Sequence, residues 1–284
     1  MVRLHDILDY EVLETLGYGA RSTIFAVKDK TNHVYALKRV VRYQNADQRF
    51  IDQAIHEHEV AVKFQHENLR RSFQLIRNRK FIRTNEVLVL MEMVDGQTFE
   101  QFRPADPTEL CKLCTQVATG LDTMHQAGYV HADIKPNNIL ITDQRNVKLI
   151  DFGQSCPDGT IKERIQGTPD YIAPEQVKRK KITPRTDVFN LGATIYWLLT
   201  RRHVPTLIPK TRSEVGTRKK LGDACPPPHE LNPAVPPALS ALVMECVQDR
   251  PEDRPEDMSA VANRLDLALH QVKNRGPSAA ASVD

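Results

Sequence analysis

The sequence predicts an α+β chain in two parts, a strand-rich first third carrying one main helix and a mostly helical remainder. Three features support that class. β-Branched and aromatic residues gather in short runs before Asp95-Gly96. Helical spacing of apolar residues dominates after it. The length of 284 residues is close to the point where one core stops growing and divides.

Residues 10–16, 23–28 and 34–40 read as strands, with Gly17-Tyr18-Gly19 and Asp29-Lys30-Thr31-Asn32 as the turns between them. Residues 46–64 read as a helix, and 81–83 with 86–93 as a further hairpin. A hinge is expected near 93–96. The next helix, 107–127, has Asp106 as its cap, Pro107 in its first position and Glu109 completing a capping box. Leu110, Leu113, Cys114, Val117, Leu121 and Met124 then recur at helical spacing. Helices are also expected at 185–200, 237–248 and near 258–272. The Pro-, Lys- and Arg-rich stretch 204–236 reads as an extended loop with a short helix, and 276–284 as a disordered end. The expected division is 10–93, 94–272 and a tail at 273–284.

The formal charge of +3 is small and the basic residues are scattered, so no nucleic-acid partner is expected. Lys178-Arg179-Lys180-Lys181 reads as a solvated loop or helix end. No apolar run reaches the roughly 18–20 residues that a membrane helix needs, and no secretory signal is visible, so no membrane insertion is expected. Five cysteines without framework spacing suggest a reducing, cytoplasmic setting. Cys111-Lys112-Leu113-Cys114 lacks the second ligand pair that zinc needs and lies on the apolar helical face, so it reads as packing.

Gly17 and Gly19 lie where backbone approaches phosphate most easily. Ser22 takes the third position of the usual glycine pattern, and a strand rather than a helix follows, which argues against a dinucleotide site. Lys38 ends an apolar strand and can aim an ammonium at phosphates. Its expected partner is Glu57, which shares a helix face with Val60, Ala61 and Phe64, in preference to Glu59. The strongest signal is His131-Ala132-Asp133-Ile134-Lys135-Pro136-Asn137-Asn138 followed by Asp151-Phe152-Gly153. Asp133 can accept the proton of an attacking hydroxyl, and Lys135 can neutralise a transferring phosphoryl group. Asn138 and Asp151 offer hard oxygens to Mg²⁺, with Mn²⁺ as an alternative. A short hairpin over 138–150 is expected to return Asp151 to Asn138.

Over residues 10–272 the sequence resembles the eukaryotic-type Ser/Thr protein kinases, including their bacterial members. Residues 17–24 resemble the glycine loop, and Ala36-Leu37-Lys38 the family lysine motif. His131 to Asn138 resembles the catalytic loop, Asp151-Phe152-Gly153 is DFG, and Ala173-Pro174-Glu175 is APE. Asp187 resembles the buried aspartate of the family, and Arg254 the arginine that pairs with the APE glutamate. The resemblance implies a bilobal kinase fold and transfer of the γ-phosphoryl group of ATP to Ser or Thr hydroxyls of protein substrates. Met91 would be the gatekeeper, Glu92, Met93 and Val94 the adenine-reading strand, and Leu16, Ile24, Ala36 and Leu140 the adenine sandwich. Thr168 would bridge Asp133 and Lys135, and together with Lys135 it favours Ser/Thr acceptors.

Ala132 stands where many family members carry arginine, and Cys156 where a second basic residue helps dock a loop phosphate. Activity without activation-loop phosphorylation is therefore expected, with Ser155 and Thr160 as the remaining candidate acceptors and Lys162 or Arg164 as substitute partners for a phosphate there. Asn137 replaces an acidic residue that favours basic substrates in some relatives. Regulation is expected from a partner protein or a separate input. The competing readings are a nucleotide-binding pseudokinase scaffold and a small-molecule kinase of the same fold. Lys38, Asp133 and Asp151 argue against the first; the APE segment, Asp187 and Arg254 argue against the second.

Overall fold

The structure, a computed structural model, describes residues 6–7, 9–19, 21–80, 83–206 and 225–274. The chain divides into two compact units. One is Met1–Gly96 with Ile150–Gln154, and the other is Gln97–Leu149 with Ser155–Asp284. The division after Gly96 falls three residues beyond the expected one. The DFG segment joins the first unit, although the sequence reading placed it in the second part.

The first unit is built on an antiparallel sheet of β1 (Asp6–Ile7), β2 (Tyr10–Gly19), β3 (Ser22–Lys28), β4 (Val34–Val41), β5 (Ser72–Lys80) and β6 (Arg83–Glu92). Their order is β1-β2-β3-β4-β6-β5. Alternation gives the sheet two apolar faces. Phe25, Val27, Leu37, Leu88 and Leu90 cluster on one. Ala36, Val40, Val87, Val89 and Met91 form the other, together with Ile51 and Ala54 of α1 (Gln48–Ala61). Each fully buried aliphatic side chain contributes about 1.5–3 kcal/mol, so this contact fixes α1 on the sheet. Lys38 lies between Ala36 and Val40 and shares their face. Glu57 continues the buried helix stripe of Ile51, Ala54, Val60 and Ala61.

Two expectations are corrected in this unit. The arm preceding β6 is Ser72–Lys80; of the expected 81–83, residues 81–82 lie outside the described residues and Arg83 already opens β6. Leu75 packs on one apolar face and Ile76 on the other, but Arg77, Arg79 and Lys80 mask the strand pattern. Such charge is common on a sheet edge, which is where β5 lies. β2 also runs through both glycines, with Gly17 opposite Ile24 and Gly19 opposite Ser22, so the glycine triplet is strand rather than turn.

In the second unit β7 (Gln97–Thr98), β9 (Ile139–Ile141) and β10 (Val147–Leu149) form a small sheet, and β8 (Tyr129–Val130) pairs β11 (Cys156–Pro157). The helices are α2 (Pro107–Gln126), α3 (Pro174–Val177), α4 (Pro184–Thr200), α5 (Pro228–Leu231), α6 (Pro237–Cys246) and α7 (Met258–Asn274). Asp106 caps α2 by accepting the Glu109 N–H at 2.8 Å. Glu109 reaches back to the Ala105 N–H at 2.6 Å, one residue short of the expected capping box. Cys111 and Cys114 are buried thiols on α2. Burial pushes Cys111 up to about 12 and Cys114 well above the ordinary thiol value. Among the described residues no group of three His, Cys, Asp or Glu is placed to hold a metal, and no helix is long and apolar enough to cross a membrane. Most of the expected 204–236 loop and the expected tail lie outside the described residues.

Candidate active site

The first unit sets one group of polar residues around Lys38. Its Nζ donates to Glu57 Oε2 at 2.5 Å. Arg70 Nη2 reaches the other carboxylate oxygen at 3.4 Å. Glu57 is 2% exposed, so it is a buried charge held by two cations. Burial works against the Lys38 charge, but the Glu57 and Asp151 carboxylates outweigh it and raise its pKa above the ordinary lysine value. Glu59 instead faces outward and meets Arg77 at 3.4 Å. Arg70 carried no sequence signal, because the pairing depends on a fold contact 13 residues away from Glu57.

Asp151 adopts a left-handed backbone (φ 66°), and its Oδ1 accepts the Gly153 N–H at 3.3 Å. A side chain at Gly153 would meet Gln53 Nε2 at 2.8 Å, so α1 approaches this turn closely. Phe152 is buried. Met91 sits opposite Ala36, with Ile24 and Met93 packed against the same cluster. The Glu92 N–H is bonded to the Arg71 carbonyl at 2.9 Å. Leu16 is largely exposed. A Cβ on Gly19 would come within 2.6 Å of Ser22 Oγ, whereas one on Gly17 would meet open space. Val94 is half-buried just past the end of β6.

The second unit gathers Asp133, Lys135, Asn138 and Thr168. Asp133 Oδ1 accepts both the Thr168 N–H at 3.0 Å and the Thr168 hydroxyl at 2.9 Å. Lys135 Nζ donates to Asp133 Oδ2 at 3.0 Å and to Thr168 Oγ1 at 2.8 Å. Thr168 therefore bridges the aspartate and the lysine. Asn138 Nδ2 donates to the Asp133 carbonyl at 2.8 Å. That anchors the donor end of the amide and turns its oxygen end away from Asp133. Leu140 occupies the middle of β9, opposite Lys148 and Thr98.

Asp187 of α4 holds this loop from below. Its carboxylate accepts the His131 N–H at 2.8 Å and the Ala132 N–H at 2.7 Å, and it meets His125 Nε2 at 2.8 Å. Ala132 is in the left-handed region (φ 62°), which an L-residue enters only when its neighbours enforce it. Gln176 adds a tie that sequence reading missed, donating from Nε2 to the Ala132 carbonyl at 2.8 Å. Arg254 and Glu175 form a buried two-point pair at 2.8 and 2.9 Å, and Thr186 donates to Glu175 at 2.9 Å. The remaining Arg254 donors bind the carbonyls of Gln248, Arg185 and Asp249.

Ala132 and Cys156 lie in one apolar cluster with Val130 and Ile182. The following segment is tied down by its main chain: Gly159 N–H donates to the Ile182 carbonyl and Ile182 N–H to the Thr160 carbonyl, each at 2.8 Å. Ser155 is 2% exposed, and the Thr160 hydroxyl donates to the Pro157 carbonyl at 2.6 Å.

A strand-rich unit with a buried Lys–Glu pair and a helical unit with an anchored Asp–Lys–Thr–Asn group define a phosphoryl-transfer fold of the kinase type. The protein kinase domain model matches residues 10–265, and the chain belongs to the protein kinase family. It is 27% identical over 250 residues to a probable serine/threonine-protein kinase of Clostridium acetobutylicum, covering 85% of this chain and 37% of that protein. It is 28% identical over 246 residues to the serine/threonine-protein kinase PrkC of Bacillus subtilis, covering 83% and 37%. It is 31% identical over 199 residues to an Aurora kinase of Saccharomyces cerevisiae, covering 68% and 53%. The chain thus spans well under half the length of these bacterial relatives.

Proposed function

We propose that the chain transfers the γ-phosphoryl group of ATP to Ser or Thr hydroxyls of protein substrates, without needing a phosphate on its activation loop. The observation that carries this reading is Asp133, whose carboxylate is held by Thr168 and Lys135 at 2.9–3.0 Å on a loop anchored by Asp187.

Phosphoryl transfer asks a protein mainly for positioning and charge neutralisation. Asp133 orients the acceptor hydroxyl and takes its proton as the new P–O bond forms and the bond to the leaving ADP breaks. Lys135 neutralises the charge on the transferring group. Thr168 fixes both side chains and also lies where the acceptor residue would bind. Lys38, oriented by Glu57, supports the nucleotide phosphates, and Gly17 and Gly19 let the β2–β3 backbone approach them. Leu16, Ile24, Ala36 and Leu140 supply apolar contact to adenine beside Met91. Glu92, Met93 and Val94 supply main-chain polar groups.

Asn138 and Asp151 would hold Mg²⁺. The anchored amide presents an oxygen, the carboxylate presents two, and Mg²⁺ commonly takes one or two protein oxygens besides phosphates and water. When bound, the ion neutralises phosphate charge.

The ties of the activation segment to Ile182 and the apolar cluster around Ala132 and Cys156 support independence from loop phosphorylation. They order the segment by main-chain bonds and apolar packing; Lys162 is the cation that interacts with Cys156, and it interacts with Asp133 and Asp187 as well. Transfer from labelled ATP with Mg²⁺ to casein tests the whole reading. Wild type should label casein, and Asp133→Asn should lose about two to four orders of magnitude in rate. ATP binding without transfer would favour a scaffold, and transfer to small molecules alone would favour the other rival. Alanine at Ser155 and Thr160 should leave specific activity unchanged; a drop beyond about tenfold would refute phosphate independence.

A further inference from the structure

Most of the basic run after α3 is left out of the ion pairs of its own unit. Lys178 is matched by Asp249 at 3.4 Å, but Arg179, Lys180 and Lys181 make no ion pair among the described residues, and neither does Arg164. All four are exposed. The fold brings them together although 15 residues separate Arg164 from Arg179. Arg179 Nη1 donates to the Glu163 carbonyl at 3.2 Å. The two bonds between 159–160 and Ile182 hold the same two stretches side by side.

The run is also held in place from within. Arg179 takes a left-handed conformation (φ 49°), its N–H donates to the Gln176 carbonyl at 3.2 Å, and the Lys180 N–H donates to the Glu175 carbonyl at 2.8 Å. Glu175 is in turn locked to Arg254 at 2.8 Å. The three basic residues therefore leave a turn that is pinned to a buried ion pair. Arg164 is four residues from Thr168, whose hydroxyl touches Asp133 at 2.9 Å. Four extended residues span at most about 14 Å. Asn137, the exposed residue of the Asp133 loop, is neutral.

We propose that Arg164, Arg179, Lys180 and Lys181 form a docking strip for acidic side chains of the substrate, within about four residues of the phosphorylated Ser or Thr. This rests on the kinase reading above and adds the substrate class. Arg164 is within about 14 Å of Thr168 by chain length, and Thr168 touches the proposed base Asp133, which favours a peptide over nucleic acid.

The test uses three peptides with one Ser acceptor each and acidic, neutral or basic flanks, with kcat/KM measured for all three. One exposed ion pair strengthens binding about 1.5- to 5-fold, so several together should favour the acidic peptide over the neutral one about tenfold, mainly through KM. Roughly 0.5 M salt should reduce that preference to below about threefold. Lys180→Glu with Lys181→Glu offsets the charge of Arg164 and Arg179 and should abolish the preference; neither side chain makes a bond among the described residues, so the fold should survive. Fluorescence anisotropy of the same labelled peptides reads docking independently of transfer. Equal binding and equal kcat/KM for the three peptides would overturn the strip, as would a preference for basic flanks. Binding of a single-stranded RNA that the charge reversal abolishes, with the peptides undiscriminated, would reassign the strip and overturn it too. Selective binding of the acidic peptide with no transfer to any would uphold the strip and refute the kinase reading.

Discussion

Asp187→Asn should damage catalysis out of proportion to its distance from the reacting atoms. Asp187 is fully buried and accepts two backbone N–H groups, those of His131 at 2.8 Å and Ala132 at 2.7 Å. An asparagine keeps one acceptor oxygen. Whichever way the amide turns, its NH₂ confronts one of the two donors. The loss is one charge-assisted bond, about 1.5–3 kcal/mol, and a buried N–H without a partner, about 1–3 kcal/mol. Together these amount to about 2.5–6 kcal/mol. Ala132 at φ 62° stores about 1–2 kcal/mol that these bonds restrain, so the backbone just before Asp133 relaxes once they weaken. A shift of about 1 Å at a catalytic group costs about a hundredfold. The expected outcome is a kcat at least about a hundredfold lower with a KM for ATP within about threefold, because the Lys38–Glu57 pair lies in the other unit. The melting midpoint should fall about 5–24 °C, so kinetics belong well below that midpoint. A kcat within tenfold of wild type, or a KM for ATP rising as kcat falls, would refute the reasoning.

Arg254→Leu strands the buried Glu175 carboxylate with Thr186 as its remaining side-chain donor and should cost about 3–5 kcal/mol. In chemical denaturation the Arg254→Leu, Glu175→Leu double variant should be more stable than the Arg254→Leu single; a double as unstable as the sum of the singles would contradict this. Lys38→Met should abolish ATP-dependent labelling while the far-UV spectrum stays native, since Arg70 still faces Glu57. Because the Lys38 pKa is raised, the pair's stabilisation is fully present below the unfolded-state value of 10.5 and is lost as pH climbs through the higher folded-state value. The difference in melting temperature between wild type and Lys38→Met should therefore stay flat over roughly pH 6–9, and a change beyond about 3 °C across that range would count against it. Cys111 and Cys114 should resist an aromatic disulfide reagent in the native protein at pH 8 and react on unfolding; rapid native reaction would contradict their burial and raised pKa values.

Much of the site was legible because its chemistry is concentrated in short loops. Asp133, Lys135, Asn138 and Asp151 stand out by residue type and spacing, and Glu57 could be preferred over Glu59 from helical periodicity alone. The groups that hold those residues in place were harder to see. Gln176 on the Ala132 carbonyl, Arg70 on Glu57 and Gln53 against Gly153 are contacts between elements far apart in sequence, and ordinary polar residues carry no local mark of them. β5 was misplaced because an edge strand tolerates charge on both faces, which erases the period-two signal. In the sequence Ala132 and Cys156 are joined only as two departures from a family pattern, 24 residues apart. That they pack together follows only from the pairing of Cys156 with Val130 in β8 and β11.

Residues Ile150–Gln154 belong to the first unit, while the chain on either side of them belongs to the second. The first unit is thus discontinuous in sequence, and a fragment ending at Gly96 would lack the carboxylate that helps keep Lys38 charged. On the ribosome its last piece emerges well after the sheet has been made. At about 5–20 residues per second, the interval from Gly96 to Gln154 lasts about 3–12 s. During that interval the sheet and α1 must persist with the Gln53 side of the helix uncovered by Gly153. Completion of the charged group around Lys38 therefore waits for synthesis of the segment that bears Asp151, so a nascent chain acquires it late and in one step.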